Sequence, residues 1–161
     1  GASRVLIPPS PTKPQGIPMK KTLIALALVA CGLTAAHAQT ASNDALYKAL
    51  GEKPGLVKLM DDFMVRLLAD PRTGPHFKPA NQQRVKEQLV DQFCVVSGGP
   101  CEYKGADMKS SHANLDITKS DFNALVEVLQ QAMDAQGIAF SSQNQLLAKL
   151  APMHRDTITV R

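Results

Sequence analysis

His112 sits in the run Asp107-Met108-Lys109-Ser110-Ser111-His112-Ala113-Asn114-Leu115-Asp116-Ile117-Thr118. A neutral imidazole is the commonest protein ligand of a transition metal, and one imidazole suffices to hold a haem iron. A lone histidine in a helical chain is more often a satisfied core or surface residue, so the weight of His112 depends on its surroundings. Met108 lies four positions earlier, on the same face of any helix through this run. Cys94 and Cys101 are the second chemical pair, seven positions apart across Gly98-Gly99-Pro100. The turn can bring them within disulfide reach, or they are two buried free thiols. Their spacing fits neither a zinc knuckle nor a C-x-x-C-H haem attachment.

The compartment decides between those two fates, and the amino-terminal stretch bears on it. Residues 1–18 are Pro-rich and aperiodic and read as a tag or an upstream artefact. Residues 19–38 read as a signal peptide, with basic Lys20 and Lys21, an apolar run from Thr22 to Leu33, and the small-residue site Ala36-His37-Ala38. The run is short for a transmembrane helix. A second reading takes Leu28-Val29-Ala30-Cys31-Gly32 as a lipoprotein box, with Cys31 acylated and the chain anchored. Either way the expectation is export, to the periplasm or its membrane face, where a Cys94–Cys101 disulfide persists.

Trimming the leader also removes the charge. The chain has 18 Lys+Arg against 14 Asp+Glu, and Arg4, Lys13, Lys20 and Lys21 account for the whole excess. Residues 39–161 are therefore neutral, and a nucleic-acid partner or an anionic membrane surface has no electrostatic support. That length suits one domain with one core.

The elements that must position His112 all read as helices. Asn43 caps a short segment that ends at Gly51. Pro54 suits the first turn of a second helix, whose apolar residues are Leu56, Leu59, Met60, Phe63, Met64 and Leu67; Pro71 ends it. Thr73 to Pro79 is a connector. Asn81 caps a third helix with Val85, Leu89, Phe93 and Val96 on its apolar face, stopped by Gly98-Gly99-Pro100. Residues 100–107 form a loop before a short helix carrying Met108 and His112. Thr118 and Asp121 imitate a capping box for a helix through Met133, closed by Gly137. Ser142 opens the last helix, and Pro152 kinks it or begins a new turn. The fold class is all-α.

Four pieces of sequence, in order, resemble a group I truncated haemoglobin over about Ala45 to Ile158. They are Leu46-Tyr47-Lys48-Ala49-Leu50-Gly51, then Asp62-Phe63-Met64-Val65-Arg66-Leu67-Leu68-Ala69-Asp70-Pro71, then Gly98-Gly99-Pro100 with Tyr103-Lys104-Gly105, and last the His112 segment. The resemblance implies a truncated globin-like two-over-two helical sandwich over residues 39–161, holding non-covalent haem b with His112 as the proximal iron ligand. It places Phe63 and Phe77 against the haem, Met108 beneath it, and Tyr103, Lys104 and Lys109 near its propionates or on ordinary surface. His76 and His154 are expected to be exposed.

The departures fall on the opposite, distal side. The family typically has Phe-Tyr where this chain has Phe63-Met64. Val85 and Leu89 take positions where relatives carry polar groups, with Gln88 between them. Gly51-Glu52-Lys53 replaces the family's first glycine pair. Met64 reads as pocket-wall filler, or as a thioether ligand opposite His112, which would suit electron transfer. Without the tyrosine donor, O2 is expected to be held less tightly, with NO and CO less affected. The implied function is reversible binding of O2 and other diatomic gases (NO, CO). The alternatives are NO dioxygenation or peroxide detoxification, His/Met-ligated electron transfer with an unnamed redox partner, and a haem-free helical interaction module.

Overall fold

The computed structural model describes residues 43–160, all within one compact unit. The signal peptide, the lipid-anchor alternative at Cys31 and the first 18 residues lie outside the described residues. The elements in chain order are α1 (Ala45–Ala49), α2 (Glu52–Ala69), α3 (Gly74–Phe77), α4 (Gln82–Val96), α5 (Met108–His112), α6 (Lys119–Ala135), α7 (Phe140–Leu150), a 3₁₀ turn (Ala151–Met153) and α8 (His154–Thr157). No strand occurs among the described residues. None of these helices is long and apolar enough to cross a membrane.

Apolar residues at three- and four-residue steps put one continuous stripe on α2, and that stripe is the centre of the molecule. Leu56, Leu59, Met60, Phe63 and Leu67 are each essentially buried. Complete burial of one such side chain stabilises the fold by about 1.5–3 kcal/mol. α2 packs against α4 on one side and α6 on the other, while α7 meets both α4 and α6. The result is two helical pairs stacked on each other, around a core that also takes Val90 and Phe93 from α4, Val128, Leu129 and Met133 from α6, and Leu146 from α7.

Local chemistry sets most helix ends. Asn81 accepts the Arg84 N–H at 3.1 Å and caps α4. Thr118 and Asp121 form a complete capping box on α6, with the Thr118 backbone N–H donating to Asp121 at 2.9 Å. Pro152 does begin a new turn, the 3₁₀ segment. Three boundaries differ from the sequence reading. Asp44 rather than Asn43 precedes α1, and α7 starts at Phe140 behind Ala139 rather than at Ser142. The Thr73–Pro79 connector holds the one-turn helix α3, for which Pro75 pre-sets the backbone in its first turn.

The turn after α4 is packed too tightly for side chains. Gly98 has φ +88°, and a Cβ there would collide with the Asn43 carbonyl. A Cβ on Gly99 would come within 2.6 Å of both the Cys94 sulfur and the Tyr47 ring. Cys94 and Cys101 are bonded, with their Cα atoms 5.8 Å apart, which ties the end of α4 to the loop leading into α5.

Glu52 shows what the missing second glycine does. It adopts φ +58°, in the left-handed region that an L side chain resists. Glu52→Gly should therefore raise unfolding stability by about 1 kcal/mol. Chemical denaturation monitored by circular dichroism would read the gain, and an unchanged midpoint would contradict the strain.

Candidate functional site

α5 has no buried residue, and five residues cannot sustain a helix on propensity alone. Its ends hold it. Upstream, Asp107 accepts the Ser110 N–H and the Ser110 hydroxyl, each at 2.8 Å, while Ser111 donates its hydroxyl to the Asp107 carbonyl at 2.7 Å. Those donors keep the Asp107 carboxyl below its ordinary range, the Ser110 backbone bond contributing most. Downstream, Ile117 pairs with the carboxy-terminal segment: its N–H reaches the Thr159 hydroxyl at 2.8 Å, and its carbonyl accepts from Thr159 and Val160 at 2.9 and 3.0 Å. α5 rests on α8.

His112 is half-buried at the end of α5. Its Nδ1 lies 2.7 Å from the Met108 carbonyl and 3.1 Å from the Ser111 hydroxyl. A carbonyl oxygen can only accept, so Nδ1 carries the proton and donates. Nε2 then holds the lone pair, and no hydrogen bond or ion pair engages it among the described residues. This is the tautomer a metal-ligating histidine needs, oriented by the bond its other nitrogen makes.

The facing surface comes from α4. Val85, Leu89, Gln92 and Val96 recur at steps of four, three and four and share one helical face. Gln92 of that face reaches Met108 of α5, its Nε2 lying 3.4 Å from the Met108 sulfur and 3.5 Å from that of Met153. That face of α4 thus meets α5 through Gln92, while its Leu89 and Val96 pack against the core. Its apolar members remain half-buried, whereas Val90, Phe93 and Cys94, turned toward α2, are buried.

The other residues expected at the site divide in three. Phe63 is a core residue at 2% exposure, and Phe77 packs half-buried against the same core. Met64 is buried at 4% exposure yet stands outside the main hydrophobic cluster. Gln88 is half-buried on α4. Tyr103 donates its hydroxyl to the Ala106 carbonyl at 2.8 Å, closing its own loop, and burial pushes its phenol up. Lys104 pairs with Glu102 at 3.3 Å, and Lys109 is exposed.

Two expectations need correction. His76 is half-buried, 3.7 Å from Asp121, because α3 folds back toward the α6 cap. His154 is half-buried against the edge of the Phe122 ring, with centroids 4.7 Å apart. Gln92 is the residue that sequence reasoning missed. Its polarity hid it, although its place in the four-three-four series with Val85, Leu89 and Val96 was legible.

Residues 45–159 match the model of a family described as bacterial-like globin. The chain is 30% identical over 124 residues to a group 1 truncated hemoglobin of Mycolicibacterium paratuberculosis, covering 77% of this chain and 91% of that one. A group 1 truncated hemoglobin of a Nostoc species is 25% identical over 108 residues, covering 67% and 92%. Among solved structures, the Fe(III) form of truncated hemoglobin from Tetrahymena pyriformis superposes with a TM-score of 0.68 at 24% identity, covering 70% of this chain and 97% of that one. The 2/2 hemoglobin from Synechococcus, in the cyanomet state with covalently attached heme, superposes with a TM-score of 0.66 at 20% identity, covering 70% and 97%.

Because α5 leans on its cap, it should be acid-sensitive. A carboxyl depressed in the folded state stabilises it above the ordinary value of 3.8 and ceases to as pH falls through the lower folded value. Backbone amides 110–113 should thus lose exchange protection below about pH 4 before the α2–α6 core does. Asp107→Ala should produce the same local loss at neutral pH, and Asp107→Ser, which keeps a capping oxygen, much less. Equal behaviour of the two variants would show that the cap does not hold α5.

Proposed function

The chain belongs to the bacterial-like globin family, and on that premise we propose that it binds haem b through His112 and reversibly holds O2 and other diatomic gases (NO, CO). The observation that carries this reading is the free lone pair at His112 Nε2, set by the 2.7 Å bond from Nδ1 to the Met108 carbonyl. One imidazole fills a single position around a metal, so the iron must arrive with its equatorial ligands in place, as it does in a porphyrin. The apolar face of Val85, Leu89 and Val96 suits a flat hydrophobic ring. Cys94 and Cys101 are bonded to each other, which supports non-covalent retention.

When bound, ferrous haem would supply an iron at which diatomic gases coordinate. The residues of this chain decide how well each gas is kept. His112 would hold the group from one side. Met64, Val85 and Leu89 offer no hydrogen-bond donor, so they exclude water without stabilising a ligand that draws negative charge. O2 draws the most, which makes this pocket poorer for O2 storage and for NO dioxygenation than one with a tyrosine at position 64. The reading includes export, for which the Cys94–Cys101 bridge is the support, since such bonds persist in oxidising compartments.

His112→Ala should abolish stable haem uptake, with rescue by free imidazole. A titration of haem into the purified apoprotein measures it, and unchanged affinity and spectrum in the variant would remove the assignment. Met64→Tyr should slow O2 release roughly tenfold or more, the worth of one hydrogen bond to a charged group, about 1.5–3 kcal/mol. CO release should change much less. Stopped-flow ligand displacement compares the two, and equal O2 release in both proteins would point to a donor elsewhere in the pocket.

A further inference from the structure

Gln92 is a buried amide with unusual partners. The hydroxyls of Thr73, Ser97 and Thr157 and the side-chain amide of Gln143, all buried, donate to oxygen. Gln92, 8% exposed, donates among the described residues only toward two thioether sulfurs, which are weak acceptors. Burying a carboxamide without a strong partner costs stability, and leucine or methionine would fill the same place without that cost. The position of those sulfurs gives the amide a use. Met108 opens α5, and its backbone carbonyl is the acceptor that fixes the His112 ring. Met153 lies in the 3₁₀ turn that leads into α8, the element on which α5 rests.

We propose that Gln92 is a positioning residue for His112, gripping Met108 and Met153 from α4 so that the Met108 carbonyl stays aligned with His112 Nδ1. No α5 side chain is fully buried, so this contact ties the helix to the four-helix core. The bond it protects sets both the tautomer and the direction of Nε2. A change at Gln92 therefore reaches the metal ligand through one side chain and one carbonyl. The inference rests on His112 being the haem ligand.

The test compares the native protein with Gln92→Met, which keeps length and removes the donor, and with Met108→Leu, which removes one acceptor. In the apoprotein, amides 111–115 should exchange roughly 2- to 10-fold faster in Gln92→Met, the worth of one neutral hydrogen bond, while amides 124–133 stay unchanged. In the haem-loaded protein, the iron–histidine stretching band should broaden or fall in frequency, and haem loss to an excess of apomyoglobin should accelerate by a similar factor. A merely structural role would leave that band in place. In the Met108→Leu background the same replacement should add little, because the two side chains act as a unit. Native protein that takes up no haem through His112 would overturn the functional reading, with the exchange arm still reporting on Gln92. Native haem uptake with unchanged exchange and an unchanged band in Gln92→Met would overturn the positioning role alone.

Discussion

One hydrogen bond, from His112 Nδ1 to the Met108 carbonyl at 2.7 Å, orients the imidazole on which the proposed function depends. It assigns the proton to Nδ1 and leaves the Nε2 lone pair without a partner among the described residues. It is made within a five-residue helix with no buried side chain, so nothing in α5 itself guarantees it. Much of the surrounding structure can be understood as support for that bond. The Cys94–Cys101 bridge and the Asp107 cap hold the approach, and the Ile117–Thr159 pairing holds the exit.

The remaining helices form a rigid frame that leaves one face of α4 incompletely covered. Val90, Phe93 and Cys94 of α4 are buried in the core, whereas Val85, Leu89 and Val96 stay half-buried, Leu89 and Val96 at the edge of that core. Under the proposed haem-binding role, such an apolar, donor-poor surface favours ligands that need little electrostatic help. Met64, which carries no hydroxyl, works in the same direction. A well-supported imidazole beside side chains without donors is what the proposed preference among gases rests on.

The helical architecture was legible because periodicity and caps are local. Asn81, Thr118 with Asp121, Gly137 and Pro152 act within a few residues of themselves, and each behaves as its type requires. His112 was legible through its segment. What the sequence concealed depends on tertiary contact. The stripe Val85-Leu89-Phe93-Val96 was read as the core face of α4; Phe93 is buried there and Leu89 and Val96 pack half-buried against the core, while the buried arc also takes in Val90 and Cys94, which the stripe had left out. His76 and His154 lost exposure to α6 residues far from them in sequence. Gln92 did not stand out in the sequence, because nothing local to it announces two methionines 16 and 61 positions away.

The central claim is an iron held by His112 with the opposite axial position open. Absorption spectra of the purified protein in the ferric, ferrous and CO-bound states test it most directly. The account predicts an intense Soret band, a five-coordinate high-spin ferrous form and ready conversion by CO. The absence of a Soret band after haem addition would contradict haem binding itself. A six-coordinate low-spin ferrous spectrum that becomes five-coordinate only in Met64→Ala would contradict the open pocket, and would assign the second axial position to the Met64 thioether.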